Sequence, residues 1–546
     1  PAAADTAPDA AAIAAFANGQ VLDAVALLEK AIVSEKDLKA RWSLSTLLMD
    51  ICAYSYQYPC IARNAKAFAE TGNALQDPRL TAARVVFVGI FERYLAGDTK
   101  LIRENFGADF SLKIANPLQD PALATRLFLL NAAVEQYDGR YDEARKYINR
   151  AFASLLRVDT DKSRYEAAVL LKETISSLYA NHDYARAMQW LAVSVPFLSA
   201  NLPRPGFDNA AWLNLAATVQ AANGNYQVSA LGYGLFHEAV KKLQIDPFHK
   251  EALLEEAVIA QAAAMAAQGD WAGARRTFDA NPIRLRRGGI LEAGAFQDYY
   301  ELYYAAAEVF FDHLSGAVPD EKWKPLFQKA GNWQLSHEAQ AAAATYRDAA
   351  LAILEFRVDP SKAHRMFNDA VTGRLRAFEA QRSDTAAFPL PSLLDRLILA
   401  LGASYWSASS SEDGNLMIAS MELLNRNARY IVSDTLSTFV AQKSDDQRRA
   451  ARALLRLRDN QQSWERDQLQ ALVERVAARR PFPAKDFSAQ LVARDYDEAI
   501  QALSPHIHRP ETRLPTKSQL QAALGEGEAF IGYVGGIRAC VRKVGI

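Results

Sequence analysis

Few residues in this 546-residue chain are spaced for chemistry. His506-x-His508 with Glu511 offers the side chains of a metal site. The surrounding SPHIHRPETRLP is a proline-flanked linker, though, and a three-ligand site needs a preformed scaffold with outer-shell support. These histidines are expected on the surface. The acidic neighbours Asp445-Asp446 and Glu255-Glu256 have the right groups for general acid–base work. Adjacent helical residues point in different directions, unlike paired carboxylates that face one substrate. Cys540 sits among alternating residues of a strand-like segment and needs no account as a nucleophile. No Walker loop, dinucleotide fingerprint, HExxH or CxxC is present. No catalytic residue, metal ligand or cofactor is therefore expected. An α/α-toroid hydrolase with dispersed acids would leave little local signature and stays open as a lesser alternative.

The elements that would position any site are helices. Half of the residues are hydrophobic, Gly (26) and Pro (21) are sparse, and Ala-rich segments dominate, which suits closely packed helices. The length exceeds what one core usually supports, so an elongated repeat is expected. A formal charge of -1 gives no reason to expect a nucleic acid or an anionic membrane as partner. No segment approaches the roughly 18 apolar residues of a bilayer span, and a soluble chain is expected. The first residues, PAAADTAPDAAA (1–12), read as a flexible mature or trimmed end. Cys52, Cys60 and Cys540 are too few for a disulfide framework. Cys52 and Cys60 could pair in an oxidising compartment, but unpaired buried thiols are the expectation.

A period of about forty residues runs through residues 13–435. Its clearest unit is AAVEQYDGRYDEARKYINRA (Ala132 to Ala151), two helices about a turn at Gly139, with Tyr141, Ala144, Tyr147 and Ala151 on one face. Similar units contain Tyr184, Tyr226 and Trp271. Turn positions fall at Gly19, Gln57, Gly97, Gly139, His182, Gly224, Gly269, Gly316, Val358 and, more loosely, Gly414. Five residues on stand Ala24, Ala62, Ile102, Ala144, Ala187, Ser229, Ala274, Glu321, Ala363 and Ala419. Small residues where helices cross and aromatics where the next pair packs resemble tetratricopeptide (TPR) repeats, in a long variety of about 42 residues. The fold class implied is all-α, a right-handed TPR-like α-solenoid with an open concave groove. A protein or peptide ligand is expected in that groove. TPRs that grip a C-terminal carboxylate use an Asn about six residues before the turn, where this chain has Ile13, Ala133, Ser176, Thr218 and Ala263. Recognition of shape and apolar side chains is expected instead.

Residues 436–510 form a connector. The segment from Asp445 to Arg480 patterns as a helical hairpin with Leu454, Leu457, Trp464, Leu469, Leu472 and Val476 on apolar stripes. Pro481 ends it, and an amphipathic helix, VARDYDEAIQAL, follows. The last segment, 511–546, contains an apolar run from Ala529 to Val534, then Gly535-Gly536, then Ile537 to Val544. This reads as a short β-hairpin, which is marginal in isolation. The phrase LQAALGEGEAFIGYVGG resembles the approach to a CHAT domain, the caspase-like cysteine peptidase module that follows TPRs in many bacterial proteins. The matching residues are Leu520, Leu524, Glu526, Gly527, Glu528, Ala529, Phe530, Ile531 and Tyr533. The resemblance implies a bacterial chain, cytoplasmic, or periplasmic or secreted if a signal peptide preceded Pro1, that stops at the start of a CHAT domain. CHAT peptidases use a His followed by Gly and a Cys far downstream. None of the eight histidines here precedes Gly, and Cys540 comes too early. No catalytic residue carries over, and a regulatory, protein-binding TPR region is expected. A stand-alone scaffold or chaperone-type adaptor is the alternative.

Overall fold

The computed structural model describes residues 8–55, 57–75, 111, 120–158, 164–202, 206–222, 225–245, 247–267, 270–281, 295–329, 337–380, 392–406, 410–425, 522, 529–534 and 537–542. The connector, the His506, His508 and Glu511 linker, the Asp445-Asp446 pair, Gly97, Gly224, Gly269 and the side chain of Cys540 lie outside the described residues.

The described chain is an all-helical stack of antiparallel pairs. The pairs are α1 (Pro8–Ala17) with α2 (Val21–Ser34), α3 (Leu38–Tyr54) with α4 (Tyr58–Leu75), and α5 (Pro121–Tyr137) with α6 (Tyr141–Leu155). Next come α7 (Arg164–Ala180) with α8 (Tyr184–Asn201), α9 (Phe207–Ala222) with α10 (Tyr226–Lys241), and α11 (Pro247–Ala267) with α12 (Trp271–Asp279). After α13 (Ala295–Leu314) a single 3₁₀ turn, Glu321–Trp323, and the short α14 (Lys324–Gln328) replace a full second helix. The stack ends with α15 (His337–Glu355), α16 (Pro360–Ala380), α17 (Leu393–Tyr405) and α18 (Ser411–Asn425). Near the end, Ala529–Val534 runs antiparallel beside Ile537–Arg542; the all-α assignment rests on the helices alone. The stretch 1–12 is not flexible throughout. Pro8 opens α1, as suits a residue whose fixed φ fits the first helical position, and Ala12 is buried.

The turns explain why the pairs form. Gly19, Gly139, His182 and Gly316 are the described residues with positive φ, and all four are turn positions of the forty-residue period. At Gly139 the helix closes with two bonds: the Gly139 N–H donates to Gln136 O (3.0 Å) and the Arg140 N–H to Glu135 O (2.8 Å). The same pair of bonds recurs at Gly19, His182 and Gly316. This left-handed C-cap satisfies carbonyls that a helix end leaves open and reverses the chain. His182 tolerates the position because its ring lies 4.5 Å from that of Tyr141 and its Nδ1 bonds to the Tyr184 hydroxyl (2.8 Å).

Glycine's role divides by position. A Cβ on Gly139 would meet nothing within 4 Å, so only its φ of +74° opposes a side chain. Gly139→Ala should destabilise by about 1 kcal/mol. Gly373, inside α16, also has open space around it, and its backbone is helical. Gly373→Ala should stabilise by about 1 kcal/mol. Opposite shifts in urea midpoint test both assignments.

Among the described residues the apolar side chains gather into three large cores. One joins α5 to α9 around Leu127, Phe152, Leu171 and the fully buried Trp190. Another joins α11 to α18 around Phe310, Phe327 and Phe378. The third departs from the expectation that each pair touches only its neighbours. Residues of α1–α4, including Phe16, Leu28 and Cys52, share it with Phe207, Phe236, Val240 and Leu243. Phe16 stacks on Phe207 with centroids 6.3 Å apart, and the Gln244 N–H donates to Gly19 O (2.8 Å). On the other side, Leu393 of α17 packs on Ala217, Tyr233 and Ala260, and the Arg396 guanidinium lies 5.3 Å from the Tyr226 ring centroid. The superhelix thus curls until both ends of the described stack meet α9–α11. Burying these faces in long-range contact removes apolar surface that an open rod would leave in water.

Cys52 and Cys60 are disulfide-bonded rather than separate thiols. The tight turn between α3 and α4 sets their Cα atoms 5.9 Å apart, inside the range a disulfide bridges. Their sequence separation of 8 closes a small loop, so reduction should lower stability by about 2 kcal/mol. Thermal melts with and without a phosphine reductant measure it.

Candidate functional site

Residues of α7, α9 and α11 line a partly open cavity of about 330 Å³. Helical spacing selects its walls. Lys172, Ser176 and Tyr179 recur on one face of α7, and Phe207, Ala210, Ala211, Asn214 and Thr218 on one face of α9. Leu253 and Glu256 come from α11, while Phe236 and Leu243 close the end at which α1 docks. The wall is about as polar as it is apolar, more polar than small-molecule sites commonly are.

Charge is unevenly distributed along it. Lys172 Nζ donates to Asp208 Oδ1 (2.7 Å) and contacts Glu173 Oε1 (3.1 Å). The Tyr165 hydroxyl donates to the other Asp208 oxygen. Burial alone would lower the Lys172 ammonium's pKa. The Asp208 and Glu173 carboxylates outweigh it and hold the group far above the ordinary lysine value. Thr218 Oγ1 shares a hydrogen bond with the Tyr233 hydroxyl (3.0 Å), whose pKa burial raises. Glu256 differs from all of these. It keeps accessible surface where it lines the cavity, it has no hydrogen bond or ion pair among the described residues, and burial pushes its carboxyl up to about 7. Deeper in the curl, Arg126 donates to Asp50 Oδ1 (2.8 Å) and Glu166 Oε1 (3.3 Å) and so ties α3, α5 and α7 together.

The residues named from the sequence form a framework around this site. Ala24, Ala144, Ala187, Ala274 and Ala363 are buried at helix crossings, as is Ser229. Tyr141 and Tyr184 are buried, Trp271 packs against the second core, and Tyr226 lies under Arg396. Gly19 and Gly139 cap helices; Gly97, Gly224 and Gly269 are outside the described residues. Of the positions where a carboxylate clamp would hold Asn, Ser176 and Thr218 line the cavity. The cavity's own cation already has two carboxylate partners.

Lys172, Glu173 and Glu256 were not expected as a site. Their signal in the sequence was a charge inside an apolar run, as in VLLKETI and LLEEAVI. Glu255 and Glu256 do diverge, as adjacent helical residues must; it is Glu256 alone that reaches the cavity.

A second feature lies on α10. Val228, Leu231 and Leu235 are 54%, 66% and 60% exposed and recur at three- and four-residue spacing on one face. That face is opposite the buried Tyr233, Phe236 and Val240. Among the described residues no helix is long and apolar enough to cross a membrane, and no group of His, Cys, Asp and Glu could hold a metal ion. No family model, curated protein or solved structure matches the chain.

Proposed function

We propose that this chain is a non-catalytic helical-repeat module that binds a partner protein, and that it regulates a CHAT-type peptidase to which the partner's arrival is passed through the stacked helices. The observation that carries the binding role is the Val228, Leu231 and Leu235 stripe, an exposed apolar ridge with the spacing that receives an amphipathic helix. The partner is therefore a helix with apolar residues on one face, docked on the outer side of α10 rather than in the concave groove. The LQAALGEGEAFIGYVGG phrase is what supports the peptidase context. The Cys52–Cys60 disulfide favours an oxidising compartment such as the periplasm.

A photo-crosslinker placed at the exposed Gln227 should trap one partner in the native cell. The same crosslinker in Val228→Asp/Leu231→Asp/Leu235→Asp should trap none. An unchanged crosslink in the triple variant would overturn the docking face. A gene that does not encode His-Gly and Cys motifs after Ile546 would overturn the peptidase context and leave the stand-alone scaffold.

One feature bears on the α/α-toroid reading: burial pushes the Glu256 carboxyl in the cavity up to about 7, a direction suited to a general acid. Hydrolysis of aryl glycosides that disappears in Glu256→Gln would establish it.

A further inference from the structure

We propose that the cavity between α7, α9 and α11 is a binding site for a small organic cation, a primary ammonium on an aromatic or branched apolar body, with the Glu256 carboxylate taking the ammonium. Three features of the cavity converge on this class. Its volume, about 330 Å³, is at the small end of ligand pockets. Its wall offers Phe207, Phe236 and Leu253 to an apolar body and Tyr179 to a cation. Its charge is incomplete: Lys172 is shared between Asp208 and Glu173, which leaves Glu256 without a cation among the described residues.

Anions are disfavoured by the same arrangement, because the one ammonium in the wall is engaged twice over and a further carboxylate faces the space. A neutral ligand would leave Glu256 either ionised without a partner or protonated. A ligand ammonium removes that conflict, since an opposite charge favours the ionised carboxyl that burial opposes.

The site does not depend on the docking face of α10, whose exposed residues point the other way. Proton linkage gives it a signature. Lys172, Glu173 and Tyr179 on α7 line the cavity with Glu256, Asp208 on α9 pairs with that lysine, and Tyr233 on α10 feels the Glu256 charge. The lysine and Tyr233 are shifted to high pH, which leaves the Glu256 carboxyl to set the response around neutrality.

Calorimetric titration of the whole chain with 2-phenylethylammonium, 2-phenylethanol and phenylacetate tests the class. At pH 8 the amine should bind at least about tenfold more tightly than the alcohol, and the acid weakest. Between pH 8 and pH 5 the amine's affinity should fall about a hundredfold, as the carboxyl takes up its proton. Glu256→Gln should abolish both the preference and the pH dependence, while Val228→Asp/Leu231→Asp/Leu235→Asp should keep them. A lysine-containing peptide in place of the amine distinguishes a protein side chain from a free ligand: equal or tighter binding by the peptide would overturn the small-molecule assignment. Equal binding of amine and alcohol, no binding of any probe, or a preference that survives in Glu256→Gln would overturn the site.

Discussion

Replacing Arg374 with leucine should cost about 3–5 kcal/mol of stability, the penalty for stranding a buried charge. Arg374 on α16 donates through Nε and Nη2 to the two carboxylate oxygens of Asp395 on α17, at 2.9 and 2.8 Å. Their side chains are 5% and 1% exposed. The guanidinium also sits 4.2 Å from the centroid of the Phe378 ring. Asp395 has a second duty, since it completes the capping box that starts α17: it accepts from the Ser392 N–H (2.9 Å) while Ser392 Oγ accepts from the Asp395 N–H (3.1 Å). Without the arginine, a carboxylate remains in a site that water barely reaches. A buried pair contributes little over an apolar substitute, but half of a buried pair is strongly unfavourable.

That distinction supplies the control. In Arg374→Leu/Asp395→Asn the amide is neutral yet can still accept from the Ser392 N–H. The double variant should recover more than about 1.5 kcal/mol of the single variant's loss, because neighbouring substitutions couple. Chemical denaturation of the four proteins closes the cycle. A double variant no more stable than Arg374→Leu would mean that lost packing, not stranded charge, is responsible. The loss should fall where α17 returns to α9–α11, because this pair fixes the helix that makes that return.

The local parts of this fold were legible in the sequence because local forces set them. A residue that must adopt positive φ is conspicuous when it is Gly139, and the period places His182 in the same role despite its Cβ. Alanines five residues on mark where two helices approach, and Ala24, Ala144, Ala187, Ala274, Ala363 and Ala419 are buried accordingly. One of the exceptions, Glu321, marks the unit whose second helix is reduced to a 3₁₀ turn and five helical residues. Long-range geometry was not legible. The period says that pairs stack but not how steeply, and a small change per pair decides whether α1 meets α9 or solvent. The Phe16–Phe207 contact and the Arg374–Asp395 pair depend on that pitch. The same holds for the cavity. Lys172 in an apolar run is a warning that a partner exists, yet Asp208 lies 36 residues away in sequence.

Glu256→Gln should make the protein more stable at pH 8 by about 2–3 kcal/mol and leave it unchanged near pH 4.5. The sign follows from where the proton is held. In the unfolded chain the carboxyl titrates near the ordinary value of 4.5, whereas in the fold burial pushes it up to about 7. Below the lower value both states are protonated and Glu behaves like its amide. As pH rises, the unfolded chain releases the proton freely while the folded one retains it, so folding becomes less favourable with each pH unit. Above about 7 both states are ionised, and the loss is complete. The full shift would give somewhat over 3 kcal/mol, and the accessible surface that Glu256 keeps in the cavity justifies the lower figure. Glutamine cannot ionise, so the difference between the two stability curves isolates this group. Parallel curves from pH 4.5 to 8 would show that the cavity is wet enough to solvate the carboxylate, and the reason for a cation there would vanish. Divergence over that window would mean the chain maintains an unfavourable charge in its own interior. Stability sacrificed at one buried position without structural return is the pattern expected of a site kept for binding.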